Sequence, residues 1–93
     1  MMVQVYFSLG SNLGDRRRNV LRAIRMMEDE FSLLDGVHRP PVAISKLIET
    51  EPWGFRAEQL FINCAVRFDL EAPCHDILEC WQRIQNQLGR PEH

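Results

Sequence analysis

Between Phe61 and Leu70, Ile62, Cys64, Val66, Phe68 and Leu70 alternate with Asn63, Ala65, Arg67 and Asp69. A period of two buries one side of a chain only when that chain is extended, because successive side chains leave a strand on opposite faces. The segment therefore reads as a β-strand with one apolar face and one more polar face. An apolar strand face needs a cover. Val20, Ala23, Ile24, Met27 and Phe31 recur at helical spacing, and so do Cys74, Ile77, Leu78, Trp81, Ile84 and Leu88. Two amphipathic helices can provide that cover.

The other segments follow from the same two periods. Val3, Val5, Phe7 and Leu9 alternate with polar neighbours as a first strand, which the cluster Gly10-Ser11-Asn12-Leu13-Gly14-Asp15 ends. Asn12 or Asp15 can cap the next helix, each having an oxygen that accepts an orphan amide hydrogen. Asp35-Gly36 and Pro40-Pro41 break the chain, and the stretch from Val42 to Thr50 is β-prone. Pro73 suits the first turn of the second helix, and Gly89 suits its C-terminal cap. The order β-α-β-β-α predicts an α+β two-layer sandwich over a single domain, residues 1–93. It is the ferredoxin-like unit without its final strand. That strand would lie beside the first, so Val3 to Leu9 is expected to form an open edge through which chains can self-associate.

Composition excludes several roles. With 45% hydrophobic and 26% charged residues the chain has an ordinary globular make-up, and its net charge of −2 gives no general attraction to nucleic acid or to an acidic membrane. No apolar run approaches the roughly 20 residues of a spanning helix. The amino terminus has no basic region followed by an apolar stretch, so cytoplasmic residence is expected. Cys64, Cys74 and Cys80 are odd in number and lack CxxC spacing, which argues against a disulfide framework and a structural zinc site; they read as core or helix-stripe residues.

Phe61 and Asn63 share the face opposite the core residues of their strand. An aromatic ring beside a carboxamide can stack on a flat heterocycle while offering a donor and an acceptor to its edge. The alternative is a strand that begins with Phe61 and turns Asn63 to water. Trp53 and Phe55, on the connection from Thr50 to Phe55, either pack on the body or wall a pocket. The Gly10–Asp15 turn has backbone amides that could meet a phosphate, yet it lacks the Walker pattern and equally well forms a capped turn. Arg16-Arg17-Arg18 and Glu28-Asp29-Glu30 read as solvated helix surface. His38 and His75 have no partner at metal-ligand spacing.

Taken in order, these segments resemble one family. Tyr6-Phe7-Ser8-Leu9-Gly10-Ser11-Asn12-Leu13-Gly14-Asp15-Arg16, Glu49-Thr50-Glu51-Pro52-Trp53-Gly54, Phe61-Ile62-Asn63-Cys64-Ala65-Val66 and Leu88-Gly89-Arg90 are similar to successive motifs of the 6-hydroxymethyl-7,8-dihydropterin pyrophosphokinases. The resemblance implies transfer of diphosphate from ATP to the pterin hydroxymethyl group, with Mg²⁺, in folate biosynthesis. The substrate hydroxyl would attack the β-phosphorus directly, without a covalent enzyme intermediate. It implies that Thr50, Pro52 and Trp53 line the pterin pocket, that Phe61 stacks on the ring and that Asn63 bonds its polar edge. Gln85 and Arg90 would lie near the nucleotide, Arg90 meeting the phosphates. Gln85 stands where the family commonly has a glutamate, and Pro91-Glu92-His93 lacks a further arginine. The family's Trp-Gly-Pro-Arg segment and Asp-x-Asp metal pair would fall beyond His93. The expectation is a chain that carries mainly the pterin-binding part, holds no metal and does not turn over alone. A non-catalytic half-domain that binds a pterin or a partner is the alternative.

Overall fold

A computed structural model describes residues 1–50 and 60–89 of the chain. Strand β1 (Val3–Ser11) leads to helix α1 (Arg16–Asp35); the short strands β2 (Ala43–Ile44) and β3 (Ile48–Thr50) follow, then β4 (Phe61–Leu70) and helix α2 (Cys74–Gln87). The long alternating strand β4 is central. It pairs antiparallel with β1 on one side and with β2 and β3 on the other. Among the described residues the result is an α+β fold of two helices and a four-stranded antiparallel sheet. Strand β1 forms the sheet's edge among the described residues, and no helix among them is long and apolar enough to cross a membrane.

Both amphipathic stripes lie against the same side of the sheet. Val20, Ala23, Ile24, Met27 and Phe31 of α1 are all buried, together with Phe7 and Leu9 of β1 and Ile62, Cys64, Val66, Phe68 and Leu70 of β4. Phe31 links the layers: its ring stacks on Phe7 with centroids 5.4 Å apart and meets Phe68 edge-on at 5.1 Å. These are the offset and T-shaped arrangements that aromatic quadrupoles favour.

The helix ends follow from local chemistry. Asp15 caps α1 by accepting a hydrogen bond from the Arg18 amide at 3.1 Å, and Gly36 closes it in the left-handed region at φ 82°. Asn19 donates to Ser11 Oγ at 3.1 Å and to the Leu13 carbonyl at 2.7 Å, bracing the turn between β1 and α1. Pro73 sits one position earlier than expected: it is the N-cap of α2, in extended conformation, rather than part of the first turn. The stripe of α2 also differs. Ile77, Cys80 and Ile84 are buried, whereas Cys74 is exposed and Leu78 is 62% exposed. At about 100° per residue, Leu78 points well away from the face centred on Ile77 and Ile84, and Cys80 falls nearer to it.

The stretch from Val42 to Thr50 forms two strands rather than one, and the interruption is a bulge. Ile44 pairs with Val66 and Ile48 with Asn63. Ser45, Lys46 and Leu47 therefore face only Cys64 and Ala65, one residue too many on the β2–β3 side. An extra residue in one strand is the defining property of a β-bulge. Ser45 bridges the gap: its amide donates to the Ala65 carbonyl at 2.9 Å, and its hydroxyl accepts from the Ala65 amide at 2.8 Å. The extra residue reverses the side-chain phase. Leu47 packs on the core, while Ile48 and Thr50 come to the other face, opposite Asn63 and Phe61.

Candidate functional site

The helix-free face of the sheet carries the residues that the alternation of β4 assigns to it. Phe61 and Asn63 are half-buried and flank the buried Ile62. Their side chains share one face because they are two residues apart on a regular strand. Thr50 lies directly across from Phe61 and diagonally from Asn63, close enough for its Oγ1 to accept a hydrogen bond from Asn63 Nδ2 at 2.5 Å. Across β1, the ladder partner of Asn63 is Gly10. The carboxamide thus sits between a hydroxyl on one strand and a residue with no side chain on the other.

Farther along this face, Arg67 binds Asp69 through two hydrogen bonds, Nε to Oδ1 at 2.9 Å and Nη2 to Oδ2 at 2.8 Å. The Arg67 side chain holds the Asp69 carboxyl below the usual carboxylate range. Tyr6 is the ladder partner of Arg67.

A cavity of about 750 Å³ opens beside this cluster, where the end of β1, the start of α1, the start of β4 and the end of α2 converge. Gly10, Asn12, Asn19, Phe61, Gln87 and Leu88 are among the residues that line it. Gly10 and Phe61 line the cavity, whereas Asn63 and Thr50 are not among its lining residues. Gln85 is half-buried on α2 and is not among the residues lining the cavity; the helix end reaches it through residues 87–89. Pro52, Trp53 and Arg90 lie outside the described residues.

Arg16 departs from the expectation of a solvated basic run. Arg17 and Arg18 are exposed, but the Arg16 side chain is 24% exposed and has long-range partners. Its Nη1 donates to the Leu60 carbonyl at 2.6 Å and lies 3.5 Å from Glu49 Oε2. It joins the start of α1 to β3 and to the residue before β4. Helical periodicity could not show this, since the partners come from elements distant in sequence.

The remaining titratable groups have local roles. His38 bonds Glu28 and His75 pairs with Glu79, each at 2.9 Å. Burial pushes the Cys64 and Cys80 thiols up, away from the reactive thiolate. Among the described residues, no group of three or more His, Cys, Asp and Glu side chains could hold a metal ion.

Comparison with known proteins gives the chain's family. Residues 6–93 match the family described as 7,8-dihydro-6-hydroxymethylpterin-pyrophosphokinase (HPPK). The chain is 38% identical over 91 residues to a 2-amino-4-hydroxy-6-hydroxymethyldihydropteridine pyrophosphokinase of Porphyromonas gingivalis, covering 98% of this chain and 57% of that protein. It is 31% identical over 85 residues to the pyrophosphokinase of the same description from Bacillus subtilis, covering 91% of this chain and 47% of that one. A folate synthesis bifunctional protein of Arabidopsis thaliana is 32% identical over 90 residues, 97% of this chain and 17% of its own length. The chain therefore spans about half the length of the bacterial relatives it matches. With a family match that runs from the first strand to the last residue, the chain belongs to the 7,8-dihydro-6-hydroxymethylpterin-pyrophosphokinase family.

Proposed function

We propose that these residues form the pterin-recognition part of a pyrophosphokinase that transfers diphosphate from ATP to 6-hydroxymethyl-7,8-dihydropterin. The observation that carries this reading is the placement of Phe61 and Asn63 on one face of β4, with the Asn63 carboxamide held by Thr50. A carboxamide has two N–H donors and a carbonyl acceptor. Thr50 accepts from Nδ2, so with respect to the described residues a second Nδ2 hydrogen and the carbonyl oxygen remain for a ligand edge. A pterin presents adjacent donors and acceptors in one plane, and its bicyclic ring suits the aromatic surface of Phe61.

The same reading takes the sheet as a ferredoxin-like sandwich, supported by the place of β4 between β1 and the β2–β3 segment. Pro52 and Trp53 are assigned to the pterin pocket, and Gln85 and Arg90 to the nucleotide, on motif position. Magnesium in the complete reaction neutralises charge on the transferring group. No described cluster of acids fits that ion, so the residues described here are assigned substrate positioning and no metal-dependent step.

Titration calorimetry with 6-hydroxymethyl-7,8-dihydropterin tests the assignment. The chain is expected to bind, and Asn63→Ala and Phe61→Ala are each expected to weaken binding by about tenfold, as loss of a desolvated hydrogen bond or a stacking surface would. No heat with the pterin, or unchanged affinity in both variants, refutes it.

A further inference from the structure

We propose that Gly10 is a positioning residue for Asn63, its missing side chain leaving the space that sets the orientation of the carboxamide toward ligand. Asn63 and Gly10 face each other across the β1–β4 ladder. A Cβ placed on Gly10 would stand 2.6 Å from Asn63 Oδ1 and 3.6 Å from its Cγ. The first distance is well inside carbon–oxygen contact, so the carboxamide occupies volume that any other residue at position 10 would claim.

Backbone conformation does not account for this glycine. Gly14, Gly36 and Gly89 have positive φ, and Gly10 does not; it lies within β1, where glycine weakens a strand and commonly marks close approach of another group. The approaching group here is the Asn63 side chain. Its nitrogen is fixed by Thr50 on the opposite side. An added Cβ at position 10 would push Oδ1 away, and because that oxygen ends a rotatable side chain, the carboxamide would move while the strands stay paired. Ser8 and Tyr6, the next residues of β1 on this face, pair with Ala65 and Arg67, so the steric constraint falls on the one position opposite Asn63.

The inference deepens the pterin reading and rests on it for the identity of the ligand. The test combines Gly10→Ala, Asn63→Ala and the double variant, titrated with 6-hydroxymethyl-7,8-dihydropterin, with nuclear magnetic resonance of the Asn63 side-chain amide. Gly10→Ala is expected to weaken binding by about tenfold, consistent with loss of one well-placed hydrogen-bonding group. In the Asn63→Ala background the same change is expected to add nothing, because the group it acts through is gone. Wild-type affinity in Gly10→Ala, or an equal loss in both backgrounds, overturns the proposal. If the unaltered chain fails to bind the pterin, the ligand assignment falls and the resonance decides the positioning role: shifted Asn63 amide signals in Gly10→Ala support it, unmoved signals overturn it. Should Gly10→Ala unfold, the double variant is expected to refold, since it lacks the clashing oxygen; failure to do so also overturns the proposal.

Discussion

Ser45→Ala tests whether the bulge is held by the serine hydroxyl. The hydroxyl accepts from the Ala65 amide at 2.8 Å, while the Ser45 amide bonds the Ala65 carbonyl at 2.9 Å and is untouched by the change. One hydrogen bond is lost and one backbone amide needs a new partner, which costs about 1–3 kcal/mol when the amide is buried. Ala65 is exposed, so water can replace the hydroxyl, and the cost falls at the low end, about 1 kcal/mol. A chain of this size has a total stability of about 5–14 kcal/mol, and 1 kcal/mol should lower Tm by roughly 4–8 °C. Thermal and urea unfolding measure the loss, and amide hydrogen exchange should quicken at Ala65. Ser45→Thr keeps the hydroxyl and is the control. An unchanged Tm together with unchanged exchange at Ala65 would refute the role given to the hydroxyl.

Two further outcomes follow from other contacts. Arg16→Met keeps most of the side-chain bulk while removing the bond to the Leu60 carbonyl and the pairing with Glu49; as the site is partly solvated, a loss of about 1 kcal/mol in urea unfolding is expected, and an unchanged midpoint would count against the contact. Asp35 accepts from the Glu71 amide at 2.9 Å and from Arg39 Nε at 2.7 Å, and these bonds, the Glu71 amide first, hold its carboxyl below the usual range. A depressed folded pKa stabilises the fold above the unfolded value and loses that contribution as pH falls through the folded one. Asp35→Asn should therefore lower stability at pH 7, with the gap to the unaltered chain narrowing below about pH 4. A gap of constant size from pH 7 to pH 2 would contradict this account.

The elements that repeat a single period were legible in the residues alone. β4 alternates over its whole length because one face is buried, and α1 shows its stripe because Val20, Ala23, Ile24, Met27 and Phe31 all meet the sheet. The pairing of Phe61 and Asn63 on one face followed from the same alternation. The stripe of α2 was less legible, since Leu78 is apolar yet exposed, and an exposed leucine has the same letter as a buried one. Arg16 was misplaced among solvated residues because its partners, Leu60 and Glu49, are distant in the chain.

Local periodicity thus determined by itself β1, β4 and the two helices, and the core-facing side of β1, β4 and α1, because burial on one side imposes a spacing; β2 and β3, whose residues are exposed, carry no such spacing. Tertiary structure decided how the faces are brought into register. Pairing with β4 exposes the extra residue between Ile44 and Ile48, and that bulge turns Thr50 to the side of Asn63. The pairing of β1 sets Gly10 opposite the same carboxamide. Neither contact has a signature within its own segment, because each is a relation between strands, and only the alignment of one backbone against another creates it.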